Sequence, residues 1–330
     1  MARRHPGLTL VEMMAVIAII AVILTLALPW IAMAREKARR STCADNLKRV
    51  GLAMHQYEAA NGTLPPGHRS VVFGTWQAFV LPYLDQQPPY NAYNFAGRFL
   101  LPDGTPDPDG RLRYDGAFNL TATRGRVAVL LCPSDIEEPA GSIFGGISRH
   151  NYAANYGPAD LFQGLPSVAA FDDPAYKFSW EGAPFGDSEP SNFPSRRTVC
   201  RLADITDGLS NTMFAAEVVR GHGADVRGLT WWGEGAGFMA WLGPNSPMPD
   251  VQDKPSYCDA IHPNRAGLNP PCSAGDAGHP PTYASRSRHP GGVNVVMGDG
   301  AVRFIKDTVR IETWRAVSTT RSCRTEGGMY

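Results

Sequence analysis

The feature that most constrains this chain is an unbroken run of 22 uncharged, mostly apolar residues from Met13 to Ala34. As an α-helix rising about 1.5 Å per residue, the run would span about 33 Å, enough to cross a hydrocarbon layer of about 30 Å. A buried core helix is the alternative, but few core helices are apolar on every face. The run therefore predicts a membrane-spanning or targeting helix near the N-terminus.

The flanks of the run bear on which kind of helix it is. A secretory signal peptide has a basic start, an apolar stretch of about 7–15 residues and a small-residue cleavage site. Arg3 and Arg4 supply the first, and Ala32-Met33-Ala34 could supply the last, but the apolar stretch is too long. Glu12 lies between the apolar Leu10-Val11 and the start of the run, and an ionisable group at membrane depth marks a functional position unless it snorkels to the interface.

The composition of the whole chain bears on its functional class and on the kind of body it forms. Lys+Arg and Asp+Glu are both 31, so the formal charge is zero. A protein that binds nucleic acid through phosphate contacts normally has a basic excess, which argues against that class. The 34 glycines and 28 prolines favour a body of strands and loops over a helix-rich one.

The apolar helix is predicted to continue beyond the membrane as a stem. Apolar residues recur three and four positions apart on one helical face, at Leu47, Val50, Met54 and Tyr57. Asn61-Gly62 predicts a left-handed stop, and Pro29 predicts a bend or loosening within the helix. A helix from about Leu8 to Ala60 would be roughly 80 Å long.

Local patterns also predict elements in the body. Short strands or buried runs are expected at Val71–Phe73, Trp76–Leu81 and Val127–Leu131. A hairpin is predicted from Val293–Met297, the turn Gly298-Asp299-Gly300 and Ala301–Ile305. A last amphipathic helix is expected within 308–319.

The sequence predicts no catalytic centre and no cofactor. Motifs for serine hydrolases, zinc proteases and phosphate loops are absent. If the hairpin forms, His289 and Asp299 lie about 20–30 Å apart at opposite ends of a strand, so they cannot act as an acid–base pair. Asp299 and Gly300 then belong to the turn, and His289 to the hairpin base.

Two further groups of residues offer atoms that could bind a metal ion or form a disulfide. Asp204, Asp207 and Asn211 offer oxygen atoms for calcium, but Asp and Asn beside glycine also form turns unaided, and we favour a structural turn. Six cysteines stand at 43, 132, 200, 258, 272 and 323 without a spacing that suits structural zinc. Cys258 and Cys272 could close a loop by a disulfide, the alternative being free buried thiols, and no role is assigned to Cys200 or Cys323.

The N-terminus resembles the prepilin signal of type IV pilins and type II secretion pseudopilins. The motif is Gly7-Leu8-Thr9-Leu10-Val11-Glu12 behind Arg3-Arg4-His5-Pro6, with leucine where phenylalanine is commonest. The resemblance implies that a prepilin peptidase cuts after Gly7 and methylates Leu8. Glu12 is then the fifth mature residue, and Pro29 takes the place of the helix-bending proline of many pilins.

The whole chain resembles a bacterial family of pilin-like proteins of unknown function that ends in an H-x9-DG domain. The matching motifs include Cys43–Lys48, Leu131–Asp135, Asp204–Gly208 and His289–Asn294. The resemblance implies an α+β, pilin-like fold with a leader (1–7), a transmembrane and stem helix (8–61) and an extracytoplasmic, antiparallel β-rich body (62–330). It also implies a disulfide between Cys43 and Cys132.

Two functions of different classes follow. The first is a non-enzymatic pilin-like or pseudopilin-like subunit, whose partners are prepilin peptidase, membrane lipid, the pilus or secretion machinery and other pilin-like subunits. The alternative is a membrane-tethered periplasmic or surface protein that binds a solute or sugar. The resemblance places the N-terminus in the cytoplasm and the body outside the inner membrane, at the cell surface after assembly. Four basic residues after the apolar run, Arg35, Lys37, Arg39 and Arg40, favour the opposite orientation.

Overall fold

The structure is a computed structural model. It describes residues 9–97, 110–136, 145–159, 161, 163, 182–188, 200–258, 270–275 and 281–320.

The longest element is helix α1, Leu10–Asn61, which is exposed in its N-terminal half and enters the body in its C-terminal half. The large apolar side chains from Leu10 to Met33 are 45–77% exposed. Among the described residues, α1 is the one helix that is both long enough and apolar enough to cross a membrane. It ends at the predicted stop, because Gly62 has a φ of 75° and donates its N–H to the carbonyl of Glu58.

The body is built on a five-stranded mixed sheet with the strand order β3-β1-β2-β6-β7. Its strands are β1 Tyr152–Asn155, β2 Met213–Glu217, β3 Gly237–Phe238, β6 Gly292–Met297 and β7 Val302–Lys306. A second sheet pairs β4 Asp250–Gln252 with β5 Cys272–Ala274. The central pairings are antiparallel, whereas β1–β3 and β4–β5 are parallel. The fold is thus α+β, with a long N-terminal helix, as the resemblance implies.

Short helices and turns surround the sheets. The α-helices are α2 Trp76–Val80, α3 Gln87–Ala92, α4 Leu120–Thr123, α5 Gly233–Ala236 and α6 Ile311–Ala316. Single 3₁₀ turns are at Leu81–Leu84, Gly110–Leu112, Ala128–Leu130, Leu202–Asp204, Leu209–Asn211 and Pro255–Tyr257.

Three segments that the sequence predicts as strands or buried runs are not strands, and only the first of them is wholly buried, the other two being partly buried. Val71–Phe73 forms a turn, Trp76–Leu81 contains α2, and Val127–Leu131 contains a 3₁₀ turn. Burial follows from apolar composition, but a short apolar run has no period that separates strand from helix. Trp76 is instead fixed by a tertiary bond, from its Nε1 to the carbonyl of Ala236 at 2.8 Å.

The stem is attached to the sheet along the face that the sequence predicts. Leu47, Val50 and Met54 are fully buried, and Tyr57 is partly buried. A Cβ on Gly51 would lie only 2.6 Å from Val296 Cγ2 of β6, so the helix backbone approaches the sheet closely. The predicted hairpin is formed by β6 and β7, in which Val293 pairs with Ile305.

Candidate functional site

Five side chains from four segments meet where the stem enters the body, and we call them the junction cluster: Glu36, Cys43, Cys132, Glu217 and His289. Glu36 and Cys43 are seven residues apart on α1, which places them on one helical face. Glu217 is the last residue of β2, and His289 lies three residues before β6 begins. The cluster therefore joins the stem to the middle of the sheet.

A disulfide between Cys43 and Cys132, the pair that the resemblance implies, holds one side of the junction cluster. The two Cα atoms are 5.1 Å apart. Hydrogen bonds reinforce the link, because Tyr152 donates its hydroxyl to the carbonyl of Cys43 at 3.1 Å and Asn46 donates to the carbonyl of Leu131 at 3.0 Å. The stem is thus tied covalently to the body.

His289 lies between two carboxylates and is almost completely buried. Its Nδ1 is 2.7 Å from Glu36 Oε1, and its Nε2 is 3.1 Å from Glu217 Oε1. Glu217 is held in turn by Asn294, which donates its backbone N–H at 2.7 Å and its side-chain amide at 2.9 Å. The imidazole therefore connects the stem carboxylate to the carboxylate at the end of β2.

Burial and hydrogen bonding act in opposite directions on the pKa values in this cluster. Desolvation lowers the pKa of His289, but the hydrogen bonds and charges of Glu217 and Glu36 outweigh it and raise that pKa above its ordinary value. Desolvation raises the pKa of Glu36, but bonds from His289, Arg39 and Ser134 outweigh it, so the pKa is lowered. The arrangement favours a protonated histidine between carboxylates.

Asp135 forms a second set of contacts behind the disulfide. Its Oδ2 accepts from Arg220 Nε at 3.2 Å and from Asn151 Nδ2 at 2.6 Å, and its Oδ1 accepts from Arg288 Nε at 3.2 Å. Since Arg288 directly precedes His289, these bonds fix the backbone that carries the histidine. The segment that follows Cys132 is thereby held against the sheet.

Comparison with protein families gives two matches that together cover most of the chain. Residues 2–28 match the prokaryotic N-terminal methylation motif, and residues 32–312 match a family described as "Protein of unknown function (DUF1559)". The chain belongs to this family. No curated protein and no solved structure matches the chain.

Membership of this family, with the methylation motif, gives the broad assignment. The chain is a pilin-like protein with a prepilin-type N-terminus, and the motif implies processing by prepilin peptidase and contact with pilin-like machinery. The long apolar part of α1 indicates membrane anchoring by one helix.

The H-x9-DG motif of this sequence separates into two structural parts. His289 contacts the carboxylates of Glu36 and Glu217. Asp299 lies in the hairpin turn, where its Oδ1 accepts from the N–H of Ala301 at 2.9 Å, and Gly300 has a φ of 82°. The structure does not bring His289 and Asp299 together, in agreement with the sequence argument against a catalytic pair.

The proposed calcium ligands take part in turn bonds. Asp204 Oδ2 accepts from the N–H of Arg201 at 2.9 Å, and Asn211 donates its side-chain amide to the carbonyl of Asp207 at 3.0 Å. The carboxylate of Asp207 accepts from Thr319 Oγ1 at 3.4 Å. The first two bonds are local, between residues three and four positions apart, whereas the third joins this segment to a residue far along the chain.

The processing residues are only partly described. Gly7 and Leu8 lie outside the described residues. Glu12 belongs to a capping box at the start of α1, where its Oε2 accepts from the backbone N–H of Thr9 at 2.8 Å and Thr9 Oγ1 accepts from the N–H of Glu12 at 3.4 Å. Pro29 lies inside α1, which continues through it.

Three of the other four cysteines are described by the structure, and none of these three belongs to the junction cluster. Cys258 and Cys272 form a disulfide at the second sheet, the pairing that the sequence offers as one alternative. Cys200 is buried, and its Sγ lies 3.5 Å from the carbonyl oxygen of Arg201. Cys323 lies outside the described residues.

Sequence reasoning missed the two carboxylates that flank His289. Glu36 attracts notice in the sequence only as an acid among basic residues, yet its position seven residues before Cys43 puts both on one face. Glu217 follows four apolar residues of β2, and its buried carboxylate needs a partner from elsewhere in the fold. The position of Glu36 could have been found from helical spacing, whereas that of Glu217 depends on how the strands pair.

Proposed function

We propose that this chain is a structural subunit of a pilin-like or pseudopilin-like filament, with its body outside the cytoplasmic membrane. The observation that carries the proposal is α1 itself, whose large apolar side chains are exposed from Leu10 to Met33 and which buries one face in the body from Cys43 onward. An apolar helix leaves lipid only if another apolar surface replaces the lipid. The same segments of identical or related subunits provide such a surface.

The junction cluster supports this role mechanically. A subunit that is pulled out of a membrane by its body must transmit force to its helix. The Cys43–Cys132 disulfide and the Glu36–His289–Glu217 bridge link that helix to the sheet by covalent and charge-assisted bonds. The proposed role requires no catalytic residue and no cofactor.

Two of the four basic residues that favour the opposite orientation are engaged with the protein. Arg39 donates to Glu36 at 2.7 Å, and the guanidinium of Arg40 lies 3.7 Å from the centre of the Phe304 ring. Ion pairing and cation–π contact reduce the weight of these charges as cytoplasmic anchors. Disulfides are also typical of proteins outside the cytoplasm.

We expect the mature chain from native cells to begin at an N-methylated Leu8. The reason is the glycine, apolar start and Glu12 ahead of the long apolar run, which together form the processing signal. Mass spectrometry of the intact protein and of its N-terminal peptide measures this directly. An N-terminus at Arg35 would show ordinary signal-peptide cleavage and would contradict the proposal.

Both Glu12→Val and Glu12→Gln should reduce incorporation into filaments by at least about tenfold. A carboxylate four residues from the new α-amino group can pair with it, in its own chain or a neighbour's, and offset a desolvation penalty of a few kcal/mol. Assembly is measured by crosslinking and by recovery in sheared surface fractions. Unfolding of the body should be unchanged, since Glu36, where the helix first bonds to the body, lies about 36 Å from Glu12 along the helix.

The pair of variants separates charge from helix capping. Glutamine at this position can still complete a capping box with Thr9, whereas valine cannot. Glu58→Gln, at a partly exposed residue on the same helix near its C-terminal end, is the matched control and should assemble normally. Normal assembly of Glu12→Val would favour a membrane-tethered binding protein instead.

A further inference from the structure

The junction cluster contains a set of potential metal ligands that its sequence spacing conceals. One ligand atom from each of Cys43, Cys132, Glu217 and His289 lies within 4.8 Å of the others, and all four residues are buried. His289 Nε2 is 3.5 Å from Cys132 Sγ and 3.1 Å from Glu217 Oε1. The sequence shows no zinc-type spacing, because the four residues come from four separate segments.

The two distances from His289 Nε2, 3.5 Å to Cys132 Sγ and 3.1 Å to Glu217 Oε1, are close to those between ligand atoms around a tetrahedral ion. Bonds of about 2.3 Å to sulfur and about 2.0–2.2 Å to nitrogen and oxygen place neighbouring ligand atoms about 3.3–3.8 Å apart. In the disulfide form, however, the sulfurs are bonded to each other and are not thiolates, which are the metal-binding species. The oxidised cluster therefore offers an ion only an imidazole and a carboxylate.

We propose that reduction of the Cys43–Cys132 disulfide converts the junction cluster into a Zn²⁺-type transition-metal site with Cys43, Cys132, His289 and Glu217 as ligands. Two thiolates, one imidazole and one carboxylate form a donor set that favours Zn²⁺ or Co²⁺ over Ca²⁺ or Mg²⁺. This inference goes beyond the filament role and does not depend on it.

The reaction balances with a dithiol as the reductant. The dithiol gives two electrons and two protons, the S–S bond of the protein breaks to two thiols, and the dithiol becomes a disulfide. The metal ion then displaces both thiol protons, which pass to solvent together with any proton on His289 Nε2. The natural donor would be a dithiol of the thiol–disulfide exchange class.

Neighbouring groups already orient the proposed ligands. Glu36 Oε1 accepts a hydrogen bond from His289 Nδ1 at 2.7 Å. This bond orients the ring so that Nε2 faces the sulfurs and Glu217. Asn294 fixes Glu217 through its backbone and side-chain amides. An open groove of about 640 Å³ between the stem and the hairpin is lined by Glu36 and Asn294, the two residues that hold His289 and Glu217.

The test uses the full-length chain in detergent, with Co²⁺ as the probe, before and after reduction by a phosphine. The reduced protein should bind one Co²⁺ per chain, with the thiolate-to-cobalt charge-transfer absorption of a two-sulfur tetrahedral site. Zn²⁺ should displace the Co²⁺ and raise the melting temperature of the reduced protein. The oxidised protein should show neither effect.

Variants assign the signal to the junction cluster. Cys43→Ala/Cys132→Ala should abolish the charge-transfer absorption, whereas the matched control Cys258→Ala/Cys272→Ala, which removes the other disulfide, should retain it. Glu36→Gln acts through His289 as a positioning change and should weaken Co²⁺ affinity about 10–100-fold with unaltered spectra.

Three results would overturn the proposal. They are a reduced, folded wild-type chain that binds no stoichiometric Co²⁺, equal binding by the oxidised chain, and undiminished binding by Cys43→Ala/Cys132→Ala. Circular dichroism decides whether the reduced chain is folded. If reduction unfolds it, Zn²⁺ should restore the fold of the wild type but not of the Cys43/Cys132 variant, and failure to do so would also overturn the proposal.

Discussion

Replacing Cys43 and Cys132 together by alanine should lower the free energy of unfolding of the oxidised protein by about 4–5 kcal/mol. The bond joins residues that are 89 positions apart, so it closes a long loop and lowers the conformational entropy of the unfolded chain. Alanine is a better replacement than serine because it introduces no buried hydroxyl that would need a hydrogen-bond partner. Denaturant unfolding, followed by tryptophan fluorescence under oxidising conditions, measures the change.

The second disulfide provides an internal control for this prediction. Cys258 and Cys272 are 14 residues apart, and the same loop argument gives about 3 kcal/mol for their removal. The two double variants should also lose protection from amide exchange in different parts of the structure. Loss of the first bond should increase amide exchange in the buried part of α1, and loss of the second should affect the β4–β5 sheet. Equal exchange in α1 would contradict the view that the disulfide anchors the stem.

Local patterns in the sequence were sufficient for the stem and the hairpin. The end of α1 at Gly62 follows from a left-handed residue that glycine adopts at little cost, and prolines close behind prevent continuation. The pairing of Val293 with Ile305 follows from the short glycine-containing turn between β6 and β7. Both features depend on neighbours in the sequence.

Features that depend on distant parts of the chain were not predictable in this way. The order β1-β2-β6 places three strands side by side that are far apart in sequence, and no single-sequence pattern specifies it. The segment Trp76–Val80, predicted as a short strand or buried run, is a helix, because five residues, four of them buried, have no readable period. The junction cluster combines both difficulties, since Glu217 meets His289 only after β2 pairs with β6.

Glu234 is a buried acid whose environment opposes its charge. It lies in α5 and is only 6% exposed. Burial, and secondly the charge of Asp253, raise the pKa of Glu234 to about 8. A hydrogen bond from the hydroxyl of Tyr283 at 3.3 Å and the charge of Lys254 act in the opposite direction but are weaker.

The sign of the resulting pH dependence follows from proton binding. Between the ordinary pKa of 4.5 and the folded value of about 8, the folded protein holds a proton on Glu234 that the unfolded chain has lost. This group's contribution to stability is therefore greatest below the lower value and is lost as the pH rises through the window. At about 1.4 kcal/mol per pKa unit, the full loss is at most about 5 kcal/mol.

Glu234→Gln should accordingly be close to wild type in stability at about pH 4 and several kcal/mol more stable at about pH 9. Glutamine keeps the shape of the side chain and its oxygen can still accept from Tyr283, but it has no charge to desolvate. Unfolding free energies of both proteins at the two pH values give the difference directly, because every other titrating group is common to them. Glu312→Gln, an exposed residue of α6, should change little at either pH. A stability difference between wild type and Glu234→Gln that does not grow as the pH rises would contradict the burial of an ionisable Glu234 in the folded protein.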